Sequence, residues 1–363
     1  MMTRRRTQDT PLLSVLICTY NRAELLGELL KSLEVQTLPL RDFELVVVND
    51  GSSDGTQAVV ESFKPKLPIK YFYQKNAGLA AARNHGLFHM SAPMVLFLDD
   101  DDLASPCLLE EHVRTHAEYP EENYAVLGFT GLAEDVACKP LMHFVTKVGF
   151  YLSCYPLIKD GDILDYTYFW GGRTSCKTSF LKKYGIFNPL FTFGCEDIEL
   201  GFRLSGYGLK VVYNSRAEST MIRDIPFQSF CRRLMRQGRS QYVFSRVHPE
   251  PEIQKWTEMD AARTEWPAIA PRYAGIVNAA KALDAMANQR LTLGLELDPT
   301  FTSLLHQSYW DAFKASKLRG IADVADPVFW ERDICEQELG AICDGESECG
   351  FQLRRQRGNI NDN

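Results

Sequence analysis

Four consecutive carboxylates, Asp99-Asp100-Asp101-Asp102, close a short apolar run, Met94-Val95-Leu96-Phe97-Leu98, that Pro93 opens. Adjacent negative charges repel one another and weaken a fold unless a cation offsets them. A hard divalent ion is the simplest partner, because Mg²⁺ and Mn²⁺ prefer oxygen ligands and keep positions open for substrate phosphates. The plain alternative is a solvated acidic turn, the common fate of charge runs. A second acidic pair, Glu196-Asp197, precedes the apolar-periodic stretch Ile198 to Leu204. Carboxylates at a helix start complement its macrodipole by a few tenths to about 1 kcal/mol. Asp50 is a third candidate. It lies in the loop Asn49 to Thr56, where Ser53, Asp54 and Thr56 are explained as helix caps and Asp50 is not.

These residues need elements that end beneath them. Five apolar residues between a proline and the acid run fit a buried parallel strand and are too few for a core helix. Further strands are expected at Leu12 to Cys18, Phe43 to Val48 and Ile69 to Tyr73. They alternate with helices from Ala23 to about Val35, around Ala58 to Phe63, and from Leu79 to Met90. Leu25, Leu26, Leu29, Leu30 and Leu33 give the first helix one apolar face. Alternation of this kind predicts an α/β fold: a mostly parallel, Rossmann-like sheet with right-handed crossovers. Ligands of such sheets bind at the carboxyl ends of the strands, where Thr19-Tyr20-Asn21-Arg22, Asp50 and the acid run all fall. No G-x-G-x-x-G follows the first strand and no G-x-x-x-x-G-K-[ST] loop is present, so neither a dinucleotide loop nor a P-loop is supported.

Four blocks taken together resemble glycosyltransferase family two with the GT-A fold: Ser14 to Arg22, Val46 to Thr56, Asn76-Ala77-Gly78 with Ala82-Arg83-Asn84, and Phe97 to Asp102. A fifth, from Trp170-Gly171-Gly172 through Phe193 to Leu204, matches the second half of the same family. The resemblance implies a nucleotide-sugar donor, expected to be a UDP-sugar, and Mn²⁺ or Mg²⁺. It assigns the donor site to Thr19, Tyr20, Arg22, Asp50, Asn76, Arg83, Asp99 and Asp100, with Asp50 accepting from the base and Asp99 near the ribose. Asp101 becomes the metal ligand. Asp197 becomes the general base that deprotonates an acceptor hydroxyl, with Glu196 orienting the acceptor, and one base with in-line attack implies inversion. The chain departs from the pattern where relatives carry a metal-binding histidine: Met221 stands there, either a ligand or core, with Arg223 two residues on. Arg173 likewise replaces an asparagine and puts a cation beside the diphosphate or the acceptor.

The whole chain bounds what remains. Its 363 residues, 45% hydrophobic and 24% charged, are ordinary for a globular protein. A net charge of -7 argues against nucleic-acid binding. Arg4, Arg5 and Arg6 precede no apolar signal region, and no run of about 18 apolar residues appears, so a cytoplasmic protein is expected, with peripheral membrane contact open. Ten cysteines include no C-x-x-C pair and read as reduced core thiols. His112 and His116, at i and i+4, lack a third zinc ligand and are expected to be exposed or capping. The aromatic stretch Tyr151 to Trp170 is read as core in preference to a sugar platform. Arg232, Arg233, Arg236 and Arg239 read as a solvated face or as paired with neighbouring acids, with a secondary contact to the diphosphate implied by the resemblance. The expected domains are a GT-A domain at 1–245 (about 1–120 for the nucleotide-sugar half, 121–245 for the acceptor half), a helical extension at 246–334 and a loosely ordered tail at 335–363. The extension is open to acceptor binding, site covering or homo-oligomer formation. Rival functions are a non-catalytic saccharide- or nucleotide-sugar-binding partner protein and a sugar nucleotidyltransferase, whose Gly-rich, Arg-containing loop is missing after the first strand.

Overall fold

The computed structural model describes residues 10–327. Strands β1 (Leu13–Thr19), β2 (Phe43–Asn49), β3 (Ile69–Tyr73) and β4 (Met94–Asp99) alternate with helices α1 (Ala23–Leu33), α2 (Thr56–Phe63) and α3 (Leu79–His89). The strands pair in parallel in the order β3-β2-β1-β4. Helices cover both faces, so near-continuous apolar runs serve two cores. Leu13, Val15 and Ile17 pack with Leu26 and Leu30 of α1, while Leu16 joins Val46, Val48 and Phe97 on the other face. From β1 the chain builds outward to β3, then returns to β1's other side as β4. Cys18 pairs with Asp99 across that reversal, so the loop after β1 and the acid run meet at the switch point where open α/β sheets take ligands.

The sheet continues through β5 (Asp102–Ala104), β6 (Tyr124–Leu132), β7 (Ile163–Leu164), β8 (Thr174–Lys177) and β9 (Lys210–Met221), with helices α4 (Leu108–Glu118), α5 (Glu134–Ala137), α6 (Pro140–His143), α7 (Thr178–Tyr184) and α8 (Glu196–Ser205). β8 lies antiparallel between β4 and β6, and β9 runs parallel to β6. A bulge after Gly128 shifts the β6–β9 register, and the last residues of β9 then pair with β5, setting Met221 opposite Asp102. In the aromatic stretch, Phe169 and Tyr155 are buried and Tyr166, Tyr168 and Trp170 pack against the same core.

Helices α9 (Phe227–Val247), α10 (Pro251–Trp256), α11 (Met259–Ile269), α12 (Tyr273–Thr292) and α13 (Pro299–Ala322) form a helical layer. α9 crosses α13 at Gly238 and Gly320, where a Cβ on either glycine would strike the backbone carbonyl of Lys317 or Met235 on the other helix. Around this crossing Phe230, Tyr309 and Phe313 are fully buried and share a core with Phe144. No described helix is long and apolar enough to cross a membrane. The tail expected at 335–363 lies outside the described residues.

One expectation is corrected. His112 and His116 are not exposed: that face of α4 lies on the sheet, and both are buried. The Ser175 hydroxyl sits between them, 2.8 Å from His112 Nδ1 and 2.9 Å from His116 Nε2. Burial pushes His112 down to about 3. An unfolded His112 takes up a proton near its ordinary 6.5 and the folded one does not, so its contribution is whole above 6.5 and is lost as pH falls toward 3. The melting temperature is therefore expected to drop on acidification below that pH, and His112→Gln, which cannot charge, should drop less. Parallel melting curves for the two proteins would remove His112 as the source.

Candidate active site

The loop after β1 and the acid run are tied together by charge. Arg22 Nη1 lies 2.6 Å from Asp100 Oδ1 and 3.5 Å from Asp101 Oδ2. Arg223, just beyond β9, closes on Asp101 from the other side, Nε to Oδ2 at 2.5 Å. Asp100 and Asp101 are buried, whereas the Asp99 side chain remains 39% exposed. Burial raises Asp100 to about 6 against the pull of Arg22. Its Oδ2 has no hydrogen-bond partner among the described residues. Asp102 is also buried, between Thr130 and Ser219 hydroxyls at 3.3 Å each, and burial lifts it to about 8 despite Arg173. Of the four acids, Asp99 and Asp101 line a small open pocket of about 40 Å³ with Met221, Arg173, Arg223 and Arg233.

The remaining donor-site candidates divide by role. Asp50 is buried, and its carboxylate already accepts from Gln74 Nε2 (2.7 Å), Ala77 N (2.9 Å) and Gly78 N (3.0 Å). It therefore shapes the 74–78 loop, in which Asn76 Nδ2 donates to the Asp50 carbonyl at 3.0 Å. Thr19 is buried and its carbonyl accepts from Asp50 N at 2.9 Å. Tyr20, 49% exposed, presents its ring to solvent at the same edge.

Arg83, from α3, joins the two acidic clusters. It is buried, with Nη1 2.9 Å from Glu196 Oε1, Nη2 3.7 Å from Asp99 Oδ1 and Nη2 also donating to the Gly171 carbonyl. Gly171 and Gly172 are glycines because a Cβ on the first would meet the Arg83 guanidinium and a Cβ on the second the Asp99 carboxylate. Gly171 N donates to Asp197 Oδ2 at 2.8 Å, and Ile198 N to Oδ1 at 2.9 Å. These bonds fix the carboxylate at the start of α8 while leaving it partly exposed. The Glu196 beside it is fully buried. Burial and then Asp197 raise it to about 7, with Arg83 pulling the other way.

Sequence reasoning placed Arg173 as a cation near the site, and it does line the pocket, held toward Asp102 and Tyr155. It missed Arg223 as the partner of Asp101, and it read Arg233 chiefly as part of a solvated face. The signal for Arg223 was present two residues beyond Met221. That for Arg233 was not, because its position depends on where α9 crosses the sheet.

Among the described residues no group of three His, Cys, Asp or Glu side chains can by itself hold a metal ion. The chemistry of the donor set nonetheless fits a hard cation, which Asp99 and Asp101 would hold through oxygen. Met221 lines the same pocket but is 7% exposed and belongs to an apolar cluster. Its thioether is a soft ligand for such an ion.

Residues 14–182 match the family described as glycosyl transferase family 2. Validoxylamine A glucosyltransferase from Streptomyces hygroscopicus subsp. jinggangensis is 36% identical over 230 residues, 56% of this chain and 53% of that protein. The enzyme of that name from subsp. limoneus is 35% identical, over 56% and 50%. The chain thus spans about half the length of these curated relatives. A mannosyltransferase from Pyrobaculum calidifontis, solved with GDP-Man and Mn²⁺, matches with a TM-score of 0.54 and 20% identity over 88% of this chain and 92% of that one. That likeness extends the GT-A architecture across the helical layer.

Gly172→Ala is expected to cost about 1–3 kcal/mol by overpacking, read as a lower melting temperature. Adding Asp99→Ala should recover most of the loss. A double variant as unstable as the single would exclude Asp99 as the group that requires glycine there.

Proposed function

We propose that the protein is a glycosyltransferase that moves a sugar from a nucleotide diphosphate donor, a UDP-sugar in the first instance, to an acceptor hydroxyl with inversion. The observation that carries this reading is that Arg83 bridges Asp99, which lines the acidic pocket with Asp101, and Glu196, the residue before Asp197. A phosphate-facing site and a partly exposed carboxylate are the two ends that an in-line displacement needs. The family match of residues 14–182 and the named glucosyltransferase relatives support the same class.

In this reading the acceptor oxygen attacks the anomeric carbon as the bond from that carbon to the diphosphate oxygen breaks. The acceptor proton passes to Asp197, and the nucleoside diphosphate leaves. General base assistance of this kind typically contributes on the order of 10²- to 10⁴-fold. Two backbone N–H groups orient the Asp197 carboxylate. Glu196 is ion-paired to Arg83 and buried, which makes it a positioning residue in this scheme. Asp101 would hold Mg²⁺ or Mn²⁺, which would supply stabilisation of negative charge on the departing group. The exposed Tyr20 and the loop that Asp50 organises lie where the nucleoside would rest.

A thermal-shift panel of UDP and GDP with Mn²⁺ tests the donor site. A nucleotide at 100 times its dissociation constant stabilises the fold by about 2.7 kcal/mol, and Asp101→Ala is expected to remove most of the metal-dependent part. Asp197→Asn should leave nucleotide binding intact and lower transfer by roughly 10²-fold or more. Transfer at the wild-type rate by Asp197→Asn would end its assignment as the base.

A further inference from the structure

The pocket holding Asp99 and Asp101 is lined by more positive than negative side chains. Arg173, Arg223 and Arg233 give three positive charges against two carboxylates. Asp101, the residue best placed to bind a metal, already shares Oδ2 between Arg223 Nε at 2.5 Å and Arg22 Nη1 at 3.5 Å. Arg233 makes no salt bridge among the described residues; its guanidinium lies 5.2 Å from the centre of the Phe193 ring. Arg236, one turn on, stacks on the same ring at 3.9 Å. Burial and the neighbouring Arg223 push Arg233 below its ordinary 12.5 against the pull of Asp99, Asp101 and Glu196. A lone dication entering such a pocket must displace a guanidinium from its carboxylate. A diphosphate instead meets Arg233 and, once it leaves Asp101, Arg223, both of which line the pocket. Charge-assisted bonds from arginine to phosphate are among the stronger hydrogen bonds available to a protein.

We propose that Arg223 and Arg233 are phosphate ligands in their own right: Arg223 moves from Asp101 to the diphosphate, so that a nucleoside diphosphate binds this pocket without a divalent ion. The metal then strengthens a site that the arginines already form. This rests on the donor-site reading above and gives it an order. The nucleotide comes first, and it frees Asp101 for the cation by drawing Arg223 away. The arginine side chains thereby neutralise part of the diphosphate charge that the ion would otherwise meet alone.

Isothermal titration of UDP and of GDP, each in EDTA and in Mn²⁺, into wild type, Arg223→Gln and Arg233→Gln tests this. Wild type should bind at least one of the two in EDTA. Each variant should bind about tenfold or more weakly there, the effect of losing one charge-assisted bond, with uridine or guanosine binding unchanged. Titrating Mn²⁺ alone into Arg223→Gln should give tighter binding than wild type, because the competitor for Asp101 is gone. Weaker Mn²⁺ binding in that variant would instead make Arg223 an orienting partner of Asp101 and overturn the proposal. Wild-type binding only in Mn²⁺, or equal affinities in EDTA for wild type and both variants, would also overturn it while leaving the donor site standing. No binding of either nucleotide under any condition would remove the glycosyltransferase reading itself. Arg233→Gln lies on a different element from Arg223 and decides the matter if Arg223→Gln does not fold.

Discussion

The contact on which the site depends is the buried guanidinium of Arg83. A cation taken out of water is tolerated only where anions and acceptors surround it. Here Glu196 at 2.9 Å, Asp99 at 3.7 Å and the Gly171 carbonyl meet that demand, and the rings of Phe97 and Phe187 lie 5.9 and 5.2 Å away. Asp99 belongs to the parallel half of the sheet and Glu196 to the start of α8. One buried side chain therefore links the end of the acid-bearing strand β4 to the start of α8, the helix that carries Asp197.

Around that link, charge is arranged in opposition. The acid run alone is unstable, and the molecule answers it twice. Asp100 and Asp101 receive Arg22 and Arg223, while Asp102 is withdrawn from solvent, lifted to about 8, and used as a hydrogen-bonding group between Thr130 and Ser219. Only Asp99 and Asp101 remain on the pocket surface. Four identical residues in a row thus do three different things, decided by which face of the turn each one occupies.

Much of this was legible before any coordinates. The apolar runs at Leu13–Thr19, Phe43–Asn49, Ile69–Tyr73 and Met94–Asp99 carry local signals strong enough to place strands within a residue or so. What was not legible depends on long-range packing. Nothing near Arg233 in sequence says that it faces Asp99, and nothing in the spacing of His112 and His116 says that Ser175 lies between them. The glycines at 171 and 172 were visible as a pattern. Their reason, room for Arg83 and Asp99, exists only once β8 lies against β4. Asp50 illustrates the converse: its type and place suggested a ligand contact, and three of its hydrogen bonds hold its own loop.

The crossing of α9 and α13 at Gly238 and Gly320 leaves no cushion of side chains between the two backbones. α9 carries Arg233 and Arg236 on the side toward Phe193, less than two turns from Gly238. A displacement of α13 is therefore transmitted to the arginines as from one end of a stiff beam to the other, with little lost in rotamer adjustment. Whatever presses on the outer helices, whether a bound acceptor or a neighbouring protein, acts on the same mechanical element that sets the reach of those cations.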